Sequence, residues 1–388
     1  MRLLPGAANF EVTELPLYDP AGSGEHLYVL VEKEGVDSDQ VVDALCAATG
    51  RPARDVGYAG RKDRVAIARQ WFSVRLANEP ALQRLVAPAG GRISVLAVSR
   101  DREKLRLGQL QGNRFRLGVD AGGEATDLDA LRAGIARLTQ FGVENRFGAQ
   151  RFGTAGANVA IACAWARGDT ARAAALCVDS TGDWKLGDPL PSGYRPGPTG
   201  SVLGALRRDP DDADRALRAA GARFAKLVAS AAQSAIFNAV LDARRAAGLL
   251  YTLRAGDVAR RRAGGVFRCL PEDVVALNER AAPGVLEVST TGPLPGSELY
   301  AASAVVADEE RRWSAAAGVD WSFFERGQPL ASPGDRRSLI VPFLEKPELE
   351  EPAQPASTHL VWLGFALPAG SYATEVLAQL DIEVPARR

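Results

Sequence analysis

The amino-acid sequence predicts an α+β protein: a mixed, mainly antiparallel sheet with flanking helices, interrupted by a second, inserted domain. Three observations carry this. Segments with strand-like alternation and β-branched or aromatic content lie near both ends of the chain, at 10–14, 27–32, 72–76 and 104–119, then at 337–341 and 358–365. Between them, beyond Thr154, the composition turns Ala- and Arg-rich with helical spacing. The length, 388 residues, is too great for one ordinary domain and comfortable for two. The expected division is 1–154 with 336–388 for the sheet domain and 155–335 for the insertion.

The first two strands, around Phe10–Glu14 and Leu27–Glu32, are expected to pair antiparallel across the turn Asp19-Pro20-Ala21-Gly22-Ser23-Gly24. A helix follows, capped by Ser38 or Asp39 and closed by Gly50, with Val41, Val42, Leu45 and Cys46 on one stripe. The run Gly57-Tyr58-Ala59-Gly60-Arg61-Lys62-Asp63-Arg64 comes next, ahead of a half-buried strand in which Phe72, Val74 and Leu76 alternate with Ser73 and Arg75. Residues 104–119 alternate again, with Leu105, Leu107, Phe115, Leu117 and Val119 opposite Lys104, Arg106, Arg114 and Arg116. This pattern suits a sheet with one apolar and one basic face.

A helix over 128–138 ends at Gly142, and Gly142–Gly153 fits neither helical nor strand period, so it reads as a shaped loop. Helices are expected at 158–166, 170–177 and 225–247, with a Pro/Gly linker at 187–200. The tail strands flank an acidic, Pro-rich loop.

Apolar residues make up 46% and charged residues 24%, an ordinary globular composition in which no apolar run approaches bilayer length. The start has no basic-then-apolar leader. Four scattered cysteines and two histidines give no zinc spacing and no disulfide framework. A cytoplasmic protein with reduced cysteines, without metal or membrane, is the expectation. Lys plus Arg and Asp plus Glu each number 47, which weighs against indiscriminate coating of nucleic acid but leaves room for a local patch. Residues 100–116 supply one, six basic residues against two acidic.

The chemistry centres on Asp63, since a carboxylate between Lys62 and Arg64 is favoured in its charged form and is a usable nucleophile or base. Alone, the stretch reads more readily as a solvated turn. Other kits lack their parts. There is no G-x-x-x-x-G-K-[ST] loop, no G-x-G-x-x-G after a strand and no histidine beside a serine elbow.

The words around Asp63 are distinctive. Gly57-Tyr58-Ala59-Gly60-x-Lys62-Asp63 with Gln70-Trp71-Phe72 resembles the catalytic motif of the TruD family of pseudouridine synthases. The likeness continues in order through Gly24-Glu25-His26, Lys104-Leu105-Arg106-Leu107-Gly108, Gly112-Asn113-x-Phe115, the loop 142–153, Ser230 to Asn238, Thr291-Gly292-Pro293-Leu294-Pro295-Gly296 and Leu367-Pro368-Ala369-Gly370-Ser371-Tyr372-Ala373-Thr374. It departs from the family at Leu4–Asn9, Glu144 and Arg146.

The resemblance implies a pseudouridine synthase-like fold with an inserted α/β TRUD domain. It also implies isomerisation of uridine to pseudouridine in tRNA, at uridine 13 of the D-arm, by Asp63 as the catalytic residue. Asn113 and Phe115 would border the uridine pocket, Phe115 as a stacking ring. Lys62, Gln70, Phe147, Gln150 and Arg151 complete the expected substrate-binding set, with Lys62 or Arg151 as the cation that keeps Asp63 ionised. The reaction requires no cofactor, and the expected partner is tRNA, met by a monomer. The rival reading is a non-catalytic RNA-binding protein with a basic inter-domain cleft. A small-molecule α/β enzyme with an Asp-Lys pair is a third reading.

Overall fold

The computed structural model describes residues 1–122, 125–192, 197–351 and 359–385. The chain divides into two compact units, one formed by Met1–Val143 with Pro342–Arg388 and the other by Glu144–Val341. Residues 144–154 and 336–341 therefore fall in the second unit. Asn145 donates its backbone N–H to the Leu339 carbonyl, and strand Asp335–Ser338 pairs with Val288–Leu294.

In the first unit, nine strands form one mixed, mainly antiparallel sheet. Its main path runs 345–350, 360–368, 110–120, 10–16, 67–75, 26–34, 92–101, with 2–3 beside 110–120 and 56–58 beside 67–75. The two N-terminal strands are not neighbours as expected. Ile67–Arg75 lies between them, parallel to Phe10–Pro16 and antiparallel to His26–Glu34. The apolar side of this half is built from Leu27, Val29, Val31, Phe72 and Val74 against Val41 and Leu45 of helix Ser38–Thr49.

That helix is capped by Asp37, in a reciprocal box with Gln40, and not by Ser38 or Asp39. The Ser38 hydroxyl is thereby left for another task. Strand 67–75 ends before Leu76, which is exposed with φ 50° and so lies outside the expected alternation.

Residues 102–109 are not strand. Leu105 inserts beside Tyr28 and Ala59 while Leu107 is exposed, and the chain turns at Gly108 into Leu110–Asp120. The expected acidic loop in the tail instead begins as strand Glu345–Glu350, paired antiparallel with Leu360–Pro368. The expected strand start at Thr358 lies outside the described residues.

The second unit has a four-stranded sheet, in order 266–268, 258–261, 288–294, 335–338, and helices at 157–166, 170–178, 197–206, 213–219, 221–246, 274–281 and 304–314. Residues 197–200 of the expected linker open helix Gly197–Leu206, and 193–196 lie outside the described residues. Helix Gly221–Ala246 is, by length and composition alone, long and apolar enough to cross a membrane, which amends the reading that no run approaches that length. Its apolar stripe, Phe224, Val228, Ile236, Phe237, Val240 and Leu241, is buried within the unit.

Only one of the two glycines in the Gly57–Asp63 run is required by close approach. A Cβ on Gly57 would fall 2.1 Å from the Leu105 carbonyl oxygen and 2.7 Å from Ser73 Oγ, whereas one on Gly60 would meet nothing nearer than Lys62 Nζ at 3.5 Å. Gly57→Ala should cost about 1–3 kcal/mol through overpacking, and Gly60→Ala less than about 0.5 kcal/mol. Chemical denaturation of the two variants checks the contrast.

Candidate active site

Period-2 side-chain parity sets up the site. In strand 26–34, the inward series Leu27, Val29, Val31 ends in Lys33, which is 1% exposed. In strand 10–16, Val12 is followed on the same face by Glu14, also buried. Glu14 lies opposite Asn113 of strand 110–120, and Val31 lies opposite Gln70 of strand 67–75. Polar side chains from four neighbouring strands thus stand on one face of the sheet, where loop 59–66 crosses it.

The Gly60–Arg64 stretch of that loop is bonded to this face, to the start of helix 38–49 and to the turn at Gly35–Val36. Gln70 is fully buried. Its amide N–H donates to the Gly60 carbonyl, and its Oε1 accepts the Ser38 hydroxyl at 2.9 Å. Ser38 Oγ accepts the Lys62 backbone N–H at 3.0 Å. The Lys62 ammonium, also buried, donates to Glu14 Oε2 at 2.9 Å. Lys33 Nζ donates to three backbone carbonyls, those of Val36 at 2.7 Å, Asp63 at 2.8 Å and Lys62 at 3.1 Å. Arg64 Nε donates to the Gly35 carbonyl at 2.8 Å and the Gly35 N–H returns to the Arg64 carbonyl. Asp63 sits between these anchors with its side chain exposed.

The burial acts on two ionisable groups. Desolvation pushes the Glu14 carboxyl up against the opposing pull of Lys62. Desolvation also lowers Lys33 to about 8, opposed by the charges of Asp63 and Asp37 and reinforced by that of Lys62. Of the two cations expected beside Asp63, Lys62 or Arg151, Lys62 is engaged in a buried pair of its own. Lys62 is the partner of Glu14, and the ammonium that grips the Asp63 backbone and feels its charge is Lys33.

Asn113 and Phe115 are separated by their surroundings, although both lie on this face. Asn113 Oδ1 is buried and has no hydrogen-bond partner among the described residues. Phe115 is 7% exposed and packs between Phe10, edge-on at 6.3 Å, and Phe365 at 5.5 Å, which is a core position. Thr374 Oγ1, on the C-terminal helix Ala373–Gln379, is likewise buried without a partner among the described residues.

The remaining expected site residues lie in the second unit. Phe147 is buried edge-on against Phe237 at 5.4 Å, with the Arg337 guanidinium 4.1 Å from its ring centre and its backbone held both ways by Asn238. Gln150 is exposed on the 3₁₀ turn Ala149–Phe152. Arg151 donates to Ser230 Oγ, and its Nε is buried with no partner among the described residues. Glu144 and Arg146, where the resemblance departs, are ion-paired with Arg245 and Asp242 of helix 221–246.

The expected basic face of the first unit is an ion-pair lattice. Arg114 pairs with Glu345, and Arg116 pairs with Glu350 at 2.9 Å and Glu11 at 3.3 Å while stacking on Trp362 at 3.9 Å. Arg106 faces Glu103 at 3.8 Å, and Lys104 Nζ donates to the Arg54 carbonyl.

Lys33, Glu14 and Ser38 were missed by sequence reasoning. The available signal was parity, a charged residue continuing an apolar face. Among the described residues no cluster of three His, Cys, Asp or Glu side chains could hold a metal ion.

Breaking the Lys62–Glu14 pair leaves an uncompensated charge in the interior. Lys62→Met should destabilise the protein by about 3–5 kcal/mol, and Lys62→Met with Glu14→Leu should recover most of the loss. Equilibrium unfolding of the single and double variants checks this.

Comparison with known proteins converges on one family. The family model described as tRNA pseudouridine synthase D (TruD) matches residues 1–185 and 180–380. A tRNA pseudouridine synthase D of Geobacter metallireducens is 37% identical over 391 residues, covering 96% of this chain and 93% of that protein. Another from Anaeromyxobacter dehalogenans is 35% identical over 384 residues, covering 97% and 92%. A solved TruD structure from Methanosarcina mazei superposes with TM-score 0.71 over 98% of this chain and 94% of that one, at 24% identity, and shows the shared fold. The chain belongs to the tRNA pseudouridine synthase D (TruD) family.

Proposed function

We propose that this protein isomerises uridine to pseudouridine in tRNA, at uridine 13 of the D-arm, with Asp63 as the catalytic carboxylate. The reaction class and the tRNA substrate follow from the family. The assignment of Asp63 is supported by one observation above all. It is the exposed carboxylate on a loop whose flanking residue Lys62 is buried and whose backbone is clamped from beneath by Lys33. A side chain on a fixed backbone approaches its target at small entropic cost, the condition under which one carboxylate can be effective.

The isomerisation breaks the N1–C1′ bond, turns the base, forms the C5–C1′ bond and releases the C5 proton. Nothing is oxidised or hydrolysed. The Asp63 carboxylate would either attack C1′ or remove the C2′ proton, and both routes begin from the same position. The uridine must leave its stack to reach it. Asn113 is proposed to meet the base, since a buried amide oxygen without a partner is costly unless a ligand N–H completes it. Phe115 and Gln70 are proposed to support the pocket from within the protein, and the second unit, with Gln150 and Arg151, to contribute to RNA binding.

The test is tritium release from tRNA labelled at uridine C5. Asp63→Asn preserves size and removes the charge. It should fold, bind tRNA within about twofold of wild type and lose turnover at least about a thousandfold, the scale of loss when an essential catalytic group is removed. Near-wild-type release by Asp63→Asn would overturn the assignment. A wild-type protein that binds tRNA yet releases no tritium would favour the binding-protein reading, and pseudouridine mapped to a position other than 13 would overturn the site.

A further inference from the structure

Strands Val258–Arg261 and Val266–Arg268 form a tight hairpin at the edge of the second unit's sheet. Its turn is closed by Arg261 N–H to the Gly265 carbonyl and Gly264 N–H to the Arg261 carbonyl, with both glycines at positive φ. Segment 258–268 holds four arginines, Arg260, Arg261, Arg262 and Arg268, and no acidic residue. Arg260 is held by Asp335 at 3.1 Å.

Arg261 and Arg268 are different. Both are exposed, and among the described residues neither has a carboxylate oxygen within 4.0 Å. Each lies over an aromatic ring, Arg261 at 4.3 Å from the centre of Phe267 and Arg268 at 5.6 Å from that of Tyr300. Arg268 also donates to the Ala301 carbonyl at 2.9 Å.

A guanidinium resting on a ring keeps its orientation and still presents N–H edges that match phosphate oxygens. Arg114 and Arg116 of the first unit's sheet, by contrast, already have carboxylate partners. We propose that the 258–268 hairpin is an RNA-docking surface, with Arg261 and Arg268 gripping backbone phosphates of the substrate. This rests on the reading that the substrate is tRNA.

The experiment compares tRNA binding by the full chain over a range of salt concentrations. Two pairs of variants are used, Arg261→Gln/Arg268→Gln and, as a control on carboxylate-paired cations, Arg114→Gln/Arg116→Gln. Removing two phosphate contacts should flatten the slope of log K against log salt by about 1.5 and weaken binding roughly tenfold at moderate salt. Turnover at saturating tRNA and the thermal midpoint should stay near wild type. The control pair should leave the slope unchanged, and Arg261→Lys/Arg268→Lys should keep most of it.

An unchanged slope for the hairpin variant, or an equal loss in the control pair, would overturn the proposal. So would loss of binding to an acidic protein partner with tRNA binding intact. Binding is read independently of tritium release, so failure of the catalytic reading would leave this result interpretable.

Discussion

The arrangement of the site depends on one buried ammonium. Lys33 ends an apolar strand face and donates to the carbonyls of Val36, Lys62 and Asp63, tying the turn after its own strand to the loop that carries the exposed carboxylate. Three backbone carbonyls are good acceptors for an ammonium, but none carries a full charge. Burial therefore costs more here than it would beside a carboxylate, which is why the amine falls to about 8. The charges of Asp63 and Asp37 offset part of that cost, so the group that positions the loop is itself held charged by what it positions.

Around this point the protein handles charge in two ways. On the outer face of the first unit's sheet, arginines and glutamates from different strands pair where they remain partly exposed, Arg69 with Glu11 at 3.0 Å and Glu32 at 2.9 Å, Arg92 with Glu34 at 3.1 Å. Each such pair contributes about 0–1 kcal/mol. On the inner face, Lys62 and Glu14 meet with almost no exposure. A pair of that kind adds little net stability compared with an apolar replacement, but it is intolerant of mispairing. Its contribution is registration: with the Gln70 and Ser38 bonds, it allows the Gly60–Lys62 backbone one path across the sheet.

Much of this was legible in the sequence, and the remainder failed for physical reasons. The glycine-rich run ahead of Asp63, the strand that follows it and the helix before it are local patterns, and local patterns survive without tertiary information. Lys62 stands out beside Arg151 as a candidate cation for Asp63 because adjacency is what sequence displays, while its partner Glu14 is 48 residues away. The basic look of residues 100–116 had the same origin, since the acids that neutralise Arg114 and Arg116 arrive on strand 345–350, more than 200 residues later. Phe115 could not be assigned by alternation to pocket or core, because both lie on the same face of its strand. Lys33 and Glu14 were open to detection as charges continuing an apolar parity, an irregularity that marks a buried, bonded group.

The central claim is that Lys33 acts by placing Asp63. The most direct test is the single-turnover rate of Lys33→Met beside its affinity for tRNA, on protein confirmed to be folded. If the ammonium positions the loop, the rate should fall about a hundredfold or more, the scale expected for a displacement near 1 Å, while the tRNA dissociation constant stays within about twofold. A folded Lys33→Met protein that isomerises uridine at the wild-type rate would contradict the account.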